Sequence, residues 1–338
     1  MTIRTMKAIG FLEYGRPDVL RFVEVPRPAP GPHDVIVRVK AVSVNPVDAK
    51  VRRGLRGGAD KAAGGPVVIG WDAAGIVEEV GAEAQRFRVG DEVYCAGDIT
   101  RPGSYAEYLA CDERIVGKKP KTLSFEQASA IPLTVITAWE AFIENMHARE
   151  RSGAGRTALI IGGGGGVGSI GIQIAKWVCG LRVVATASRP ESAAFCRAMG
   201  ADGVIDHTKD LAAQLPSVGV SGFDYVLSCA ERNNFTSLAS VLNFLGKICC
   251  ILPVPSADLS ALFGKRASVH FENMFSRPML GVEPEGQGGL LDRVADLLDQ
   301  KLLMTTMTKV LDWSEFRAAH EAIESGHTVG KIVMRVAH

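Results

Sequence analysis

The period of the apolar positions changes along the chain, and the changes mark its parts. Up to about residue 130 the apolar runs are short. Val35-Ile36-Val37-Arg38-Val39-Lys40-Ala41-Val42 is β-branched with partial alternation, and Gly75-Ile76-Val77-Glu78-Glu79-Val80 is another such run, so both predict strands. Pro26, Pro28, Pro30, Gly31-Pro32 and Gly64-Gly65-Pro66 punctuate them, which predicts irregular connections and a barrel-like β domain rather than a parallel sheet. Near residue 124 the texture turns helical: Ser124 is placed to cap, Gln127 follows three residues on, and the pattern runs past Pro132 to Phe142.

From there to about residue 252 the two periods alternate. Strands are predicted at 158–161, 182–186, 203–205, 225–227 and 247–252, with helices at 169–179 and 191–199 between them. Such alternation implies a parallel sheet with crossover helices. The tail is mixed again, with helices at 290–301 and 313–325 and a closing strand at 331–336. A tail of that kind can return to the first domain and make it discontinuous.

Composition narrows the class. The chain has 338 residues, 47% hydrophobic and 22% charged, as expected of a globular enzyme of two domains. With 38 basic and 37 acidic residues, the net charge of +1 offers no electrostatic footprint for nucleic acid or anionic lipid. No stretch approaches the roughly 20 apolar residues of a membrane span, and no signal peptide is apparent. Seven scattered cysteines argue against a disulfide scaffold, so a reducing, cytoplasmic location is expected. The seven histidines show no ligand spacing, and most are expected to be at the surface or solvated.

The most informative motif is Leu159-Ile160-Ile161-Gly162-Gly163-Gly164-Gly165-Gly166-Val167-Gly168, between an apolar strand and an apolar helix. Gly163, Gly165 and Gly168 have dinucleotide-turn spacing: the first allows the tight turn, the second the approach of a pyrophosphate, the third helix–strand packing. The N-terminus of the helix that follows offers free amides to the phosphates, with Gly166 and Val167 of the turn as further cofactor candidates. About twenty residues on, the next strand ends at Ala187-Ser188-Arg189. An NAD site normally has an acid there for the ribose 2′-hydroxyl, whereas NADP sites supply a cation for the 2′-phosphate. Ser188 does not repel a phosphate and Arg189 can pair with one, so NADPH is the expected cofactor.

Val42-Ser43-Val44-Asn45-Pro46-Val47-Asp48, Ile69 to Gly75, Gly103 to Tyr108, the glycine turn, Met199 to Asp202 and Gly326 to Val333 occur in an order that resembles the medium-chain dehydrogenase/reductase superfamily over essentially the whole chain. The likeness is closest to its quinone oxidoreductase (ζ-crystallin-like) branch and to the proteins named zinc-type alcohol dehydrogenase-like. The resemblance implies an α/β fold: a doubly wound Rossmann domain at 131–285, and a discontinuous, β-rich GroES-like catalytic domain at 1–130 and 286–338, with the active site in the cleft between them. It places Asn45 and Asp48 beside the nicotinamide as the catalytic candidates. It also puts Thr137, Ile251, Leu252 and Lys331 at the cofactor, and a homodimer contact at the Rossmann sheet edge, through 247–254 and 268–274.

The zinc ligands of the alcohol dehydrogenases are missing at the corresponding positions. Asn45 to Asp48 stands in place of the cysteine loop, Gly70-Trp71-Asp72 in place of the His-Glu pair, and Cys95 alone where four cysteines would bind a structural zinc. Cys95 and Cys111 are expected to pack as small hydrophobes. Without a Lewis acid, reduction of a quinone or an α,β-unsaturated carbonyl (enone) is easier to support than alcohol oxidation. Two readings stay open beside it: a zinc-type alcohol dehydrogenase, and a non-catalytic NADPH-binding, crystallin-like protein.

Overall fold

The computed structural model describes residues 4–55, 64–230 and 233–337; His338 lies outside them. The chain forms two compact units, residues 1–133 with 275–338, and residues 134–274. The second unit thus ends earlier than the expected 285. Phe275 already belongs to the first unit, where its ring meets Trp71 edge-on at 5.9 Å.

In the first unit the strands are β1 (Thr5–Phe11), β2 (Arg21–Pro26), β3 (Asp34–Ser43), β4 (Val67–Val68), β5 (Asp72–Val80), β6 (Glu92–Cys95), β7 (Tyr108–Asp112) and β8 (Val116–Lys118). The second unit holds β9 (Thr157–Ile161), β10 (Arg182–Thr186), β11 (Gly203–Ile205), β12 (Phe223–Ser228), β13 (Leu242–Cys250) and β14 (Ser268–Phe271). β15 (Met307–Asp312) and β16 (Lys331–Arg335) return to the first.

β1 pairs with β2 and β4 in a small antiparallel sheet. The larger sheet runs β15-β16-β3-β5-β6-β8, with β7 also on β3. Its central strand β3 is long and mostly buried because its β-branched residues face apolar neighbours on both sides, and register shifts against β5 bend it. β16 adds antiparallel to β3, so Val333 pairs with Ser43 and the end of the chain reaches the Val42–Asp48 segment.

The second unit is a wholly parallel sheet in the order β11-β10-β9-β12-β13-β14. The first strand of this unit, β9, lies in the middle, and the order reverses there, as in a Rossmann fold. Leu159, Val184, Phe223, Val226 and Ile248 are buried in one cluster. Burying each such side chain contributes roughly 1.5–3 kcal/mol, which is why these strands read as continuous apolar runs rather than alternating ones. The helix expected at 169–179 begins earlier, at Gly166, and widens to a π-helix over Ile174–Val178.

Local signals hold where the chemistry is local. Ser124 caps the helix Phe125–Ser129 reciprocally with Gln127, and Pro132 starts a new helix, Pro132–Trp139.

Candidate functional site

Two constellations stand out, one in each unit. In the parallel unit, β9 ends in the glycine turn. Gly162 takes φ +77°, and the turn is pinned to β10 by Gly162 N donating to Thr186 Oγ1 at 3.0 Å and Gly163 N to Thr186 O at 3.1 Å. A Cβ on Gly163 would lie 2.7 Å from Ala185 Cβ, and one on Gly168 would lie 2.2 Å from Gly162 O. Gly163 and Gly168 are therefore a packing requirement, because strand, turn and helix approach too closely there for any side chain, whereas a Cβ on Gly165 would meet only Gly162 O at 3.5 Å. Ser169 N is the amide that first bonds back, to Gly165 O. The amides of Gly166, Val167 and Gly168 are thus those that helix Gly166–Gln173 cannot satisfy internally, and they form an anion cradle.

Ser188 and Arg189 follow β10, Ser188 exposed and Arg189 half-buried; Arg189 precedes Pro190 at the N-cap of helix Pro190–Ala198. Ile251 and Leu252 follow β13, with Ile251 N donating to Ser228 O at 3.2 Å. Turn, Arg189 and Ile251 thus share the carboxyl end of one parallel sheet, where such sheets bind ligands. Thr137 is buried on its helix, one residue before Ala138, whose Cβ would be 3.8 Å from a Cβ on Gly171. The cradle and the cation after β10 suit a dinucleotide.

The other constellation, in the first unit, is a buried polar cluster. Asp72, the first residue of β5, is fully buried and both its oxygens are used. Oδ1 accepts from Leu133 N at 2.7 Å; Oδ2 accepts from Ser43 Oγ at 2.6 Å, Asn45 Nδ2 at 2.8 Å and Lys331 Nζ at 3.3 Å. Lys331 Nζ also donates to Asn45 Oδ1 at 2.5 Å and Val44 O at 2.9 Å, so its three N–H bonds all go to protein. The Asn45 carboxamide is thereby fixed in one orientation, oxygen to Lys331 and nitrogen to Asp72. Burial pulls the Lys331 ammonium below its usual value, against the opposing charges of Asp72 and Asp48.

Asp48 lies one turn into the helix Pro46–Arg52. Its Oδ2 accepts from Asn45 N and from Tyr105 Oη, each at 2.8 Å. Burial raises its carboxyl to about 7, against the lowering effect of those hydrogen bonds and of Lys331. The structure thus joins Asn45, Asp48 and Lys331 in one network, and places Thr137, the glycine turn, Ser188, Arg189, Ile251 and Leu252 in the other unit.

Sequence reading missed Asp72, Ser43 and Tyr105 as members of the cluster. A signal existed for the charged pair: an acid opening an apolar strand at 72 and a lysine opening another at 331 each need a buried partner. Most histidines are expected at the surface or solvated, and His320 is not among those at the surface. It is fully buried, with Nδ1 2.9 Å from Arg52 Nη1, and burial holds it neutral with a pKa of about 3.

Zinc does not fit these residues. Among the described residues no three His, Cys, Asp or Glu side chains converge as a metal site. Trp71 fills the position before Asp72, and Asp72 is already saturated with donors. Cys95 and Cys111 are both buried, and the Cys111 thiol is pushed up by its hydrogen bond with Cys95 and by burial. Burial likewise raises Cys196 and Cys250 to about 11 and Cys179 and Cys229 to about 12, so none of these four is a thiolate at neutral pH.

A Rossmann sheet with a glycine turn, in one chain with a β-rich unit, defines a nucleotide-dependent oxidoreductase class. The family model described as alcohol dehydrogenase GroES-like domain matches residues 31–121, and that described as zinc-binding dehydrogenase matches residues 199–334. The chain is 34% identical to a zinc-type alcohol dehydrogenase-like protein of Staphylococcus epidermidis, over 98% of this chain and 100% of the relative. It is 37% identical to the NADPH-dependent alkenal/one oxidoreductase of Arabidopsis thaliana, over 67% of this chain and 58% of that protein. Two of the similar solved structures bear on the class. A candidate zinc-dependent alcohol dehydrogenase from Rhizobium etli has 42% identity, TM-score 0.92 and full coverage of both chains. The quinone oxidoreductase from Coxiella burnetii has 29% identity and TM-score 0.83, covering 99% of this chain and all of that one. The chain belongs to the medium-chain dehydrogenase/reductase superfamily, in its quinone oxidoreductase-like branch, and is an oxidoreductase.

Proposed function

We propose that this oxidoreductase is NADPH-dependent and zinc-independent, and that it reduces a quinone or an α,β-unsaturated carbonyl. The observation that carries this reading is the buried cluster. Asp72 is saturated by four protein donors, one of them the Lys331 ammonium, and Trp71 stands beside it, so the donor set has no place for a Lewis acid. An electron-poor acceptor does not need one. The names of the Arabidopsis and Coxiella relatives support both acceptor classes, and the former supports NADPH.

When bound, NADPH supplies the hydride. The amides of Gly166, Val167 and Gly168 hold the pyrophosphate, with Gly163 allowing the turn and Gly165 its close approach. Ser188 and Arg189 take the 2′-phosphate. Thr137, Ile251 and Leu252 flank the nicotinamide, and Asn45 and Asp48 meet the acceptor oxygen. Lys331, its donors committed, acts by fixing Asn45 rather than by binding the cofactor directly. A homodimer through 247–254 and 268–274 is part of the reading. It is supported by the position of β14 at the open edge of the sheet with Phe271 exposed. The location proposed is the cytoplasm; among the described residues no helix is long and apolar enough to cross a membrane.

The test is NADPH oxidation by chelator-treated protein with an ortho-quinone and a simple enone, NADH run in parallel. Turnover that survives chelation is expected, with Arg189→Ala reducing the preference for NADPH by about 10- to 100-fold, the worth of one charge-assisted hydrogen bond. Activity that vanishes with the chelator and returns with zinc would establish the alcohol dehydrogenase reading instead. Tight NADPH binding without turnover of either acceptor would favour a binding protein.

A further inference from the structure

We infer that Tyr105 is a positioning residue of this site: its hydroxyl, reaching Asp48 through a slot that a glycine at position 70 leaves open, joins the Asn45 amide on one oxygen of Asp48 and leaves the other to carry the proton of the neutral acid. Gly70 has φ +86°, and a Cβ there would lie 2.1 Å from Tyr105 Cδ1, inside the ring. The ring is held on another side by His320, edge-on at 5.9 Å, and Tyr105 is fully buried. Its hydroxyl and the Asn45 amide both fall on Asp48 Oδ2 at 2.8 Å, whereas Oδ1 is buried with no partner. An oxygen that already accepts two hydrogen bonds is the poorer base, so the proton of the neutral acid sits on Oδ1. A buried polar atom without a partner is rare, and an acceptor atom of a ligand would satisfy it.

The groups facing this pair are Lys331, whose charge favours the Asp48 carboxylate, and Asp72, which opposes it; Arg52 acts on Tyr105. The Tyr105 hydrogen bond itself favours the carboxylate, and burial is the larger opposing effect. The bearing of this arrangement on turnover rests on the reductase reading, in which Asp48 meets the acceptor oxygen.

The experiment is an infrared pH titration of the cofactor-free protein, with the Asp48 carboxylic C=O band identified by its loss in Asp48→Asn. The band is expected to titrate near neutrality and to move up by about one pH unit in Tyr105→Phe, which keeps the ring and removes the donor. The alkaline limb of kcat/KM should move by the same amount, with the KM for NADPH unchanged. A titration unmoved in a folded Tyr105→Phe protein overturns the assignment. Should that variant not fold, fluorotyrosine incorporation acidifies the hydroxyl and must shift the titration downward; no shift again overturns it. A shifted titration in a protein that turns over no acceptor supports the role of Tyr105 and defeats the reductase reading alone.

Discussion

Replacing Lys331 by methionine tests whether the first unit depends on its buried charge pair. The substitution keeps the length of the side chain and removes three donors at once, from Asp72 Oδ2, Asn45 Oδ1 and Val44 O. Lys331 and Asp72 side chains are 4% and 0% exposed, so water does not replace the lost ammonium. Breaking a buried ion pair on one side costs about 3–5 kcal/mol. Asp72 keeps three neutral donors, which favours the lower end, while the orphaned Asn45 and Val44 oxygens push the other way. For a unit of this size each kcal/mol lowers Tm by about 2–4 °C, so a fall of roughly 6–20 °C is expected. Calorimetry reads it, and fluorescence of Trp71 and Trp313 follows the same unit. Asp72→Asn in the Lys331→Met background should restore part of the loss, because a neutral amide replaces the stranded charge. The coupling should persist in high salt, since buried pairs are weakly screened. A single-variant cost within about 1 kcal/mol, or strictly additive single and double variants, would refute the argument that the pair is coupled.

Gly168→Ala drives a Cβ to 2.2 Å from Gly162 O, so helix and strand must part; NADPH affinity measured by cofactor fluorescence should fall by about 10-fold or more, and unchanged affinity would contradict the close-packing argument. Glu272 lies just past β14, and burial, then the charge and hydrogen bond of Glu140, push it up to about 10. Its folded pKa being above its unfolded one, the stability it contributes is full below about 4.5 and lost as pH rises toward about 10, with a slope of at most ~1.4 kcal/mol per pH unit. Thermal melts across that window should flatten in Glu272→Gln, and parallel wild-type and variant curves would contradict it. His320 works in the opposite sense: its folded pKa of about 3 lies below 6.5, so stability is full above 6.5 and lost as pH falls toward 3. Melts of His320→Asn should lack that acid limb, and an unchanged limb would mean that His320 is not its cause.

What the sequence made legible was whatever depends on neighbours in the chain. The glycine turn could be read because Gly163, Gly165 and Gly168 encode a backbone path at fixed offsets. The contacts at 2.7 Å and 2.2 Å that substitutions at Gly163 and Gly168 would create show that these two are steric requirements. The helix start at Ser124 was equally local. The cluster was not, because its members meet only after folding: Lys331 and Asp72 are 259 residues apart, Arg52 and His320 268. His320 could not be told from the other histidines because helix periodicity shows a face without showing what covers it. The unit boundary at 275 was hidden for the same reason, since it depends on the Phe275 ring meeting Trp71. Tyr105 is the sharpest case. A tyrosine in a Gly-Ser-Tyr-Ala-Glu-Tyr segment has many possible roles, and only the missing Cβ at Gly70 admits its ring to the path toward Asp48. A glycine in one strand-end turn therefore decides whether a ring can reach a carboxyl in another segment. Alanine at 70 should destabilise the protein even when the ring at 105 is reduced, because that change relieves the clash and leaves the strain of φ +86°.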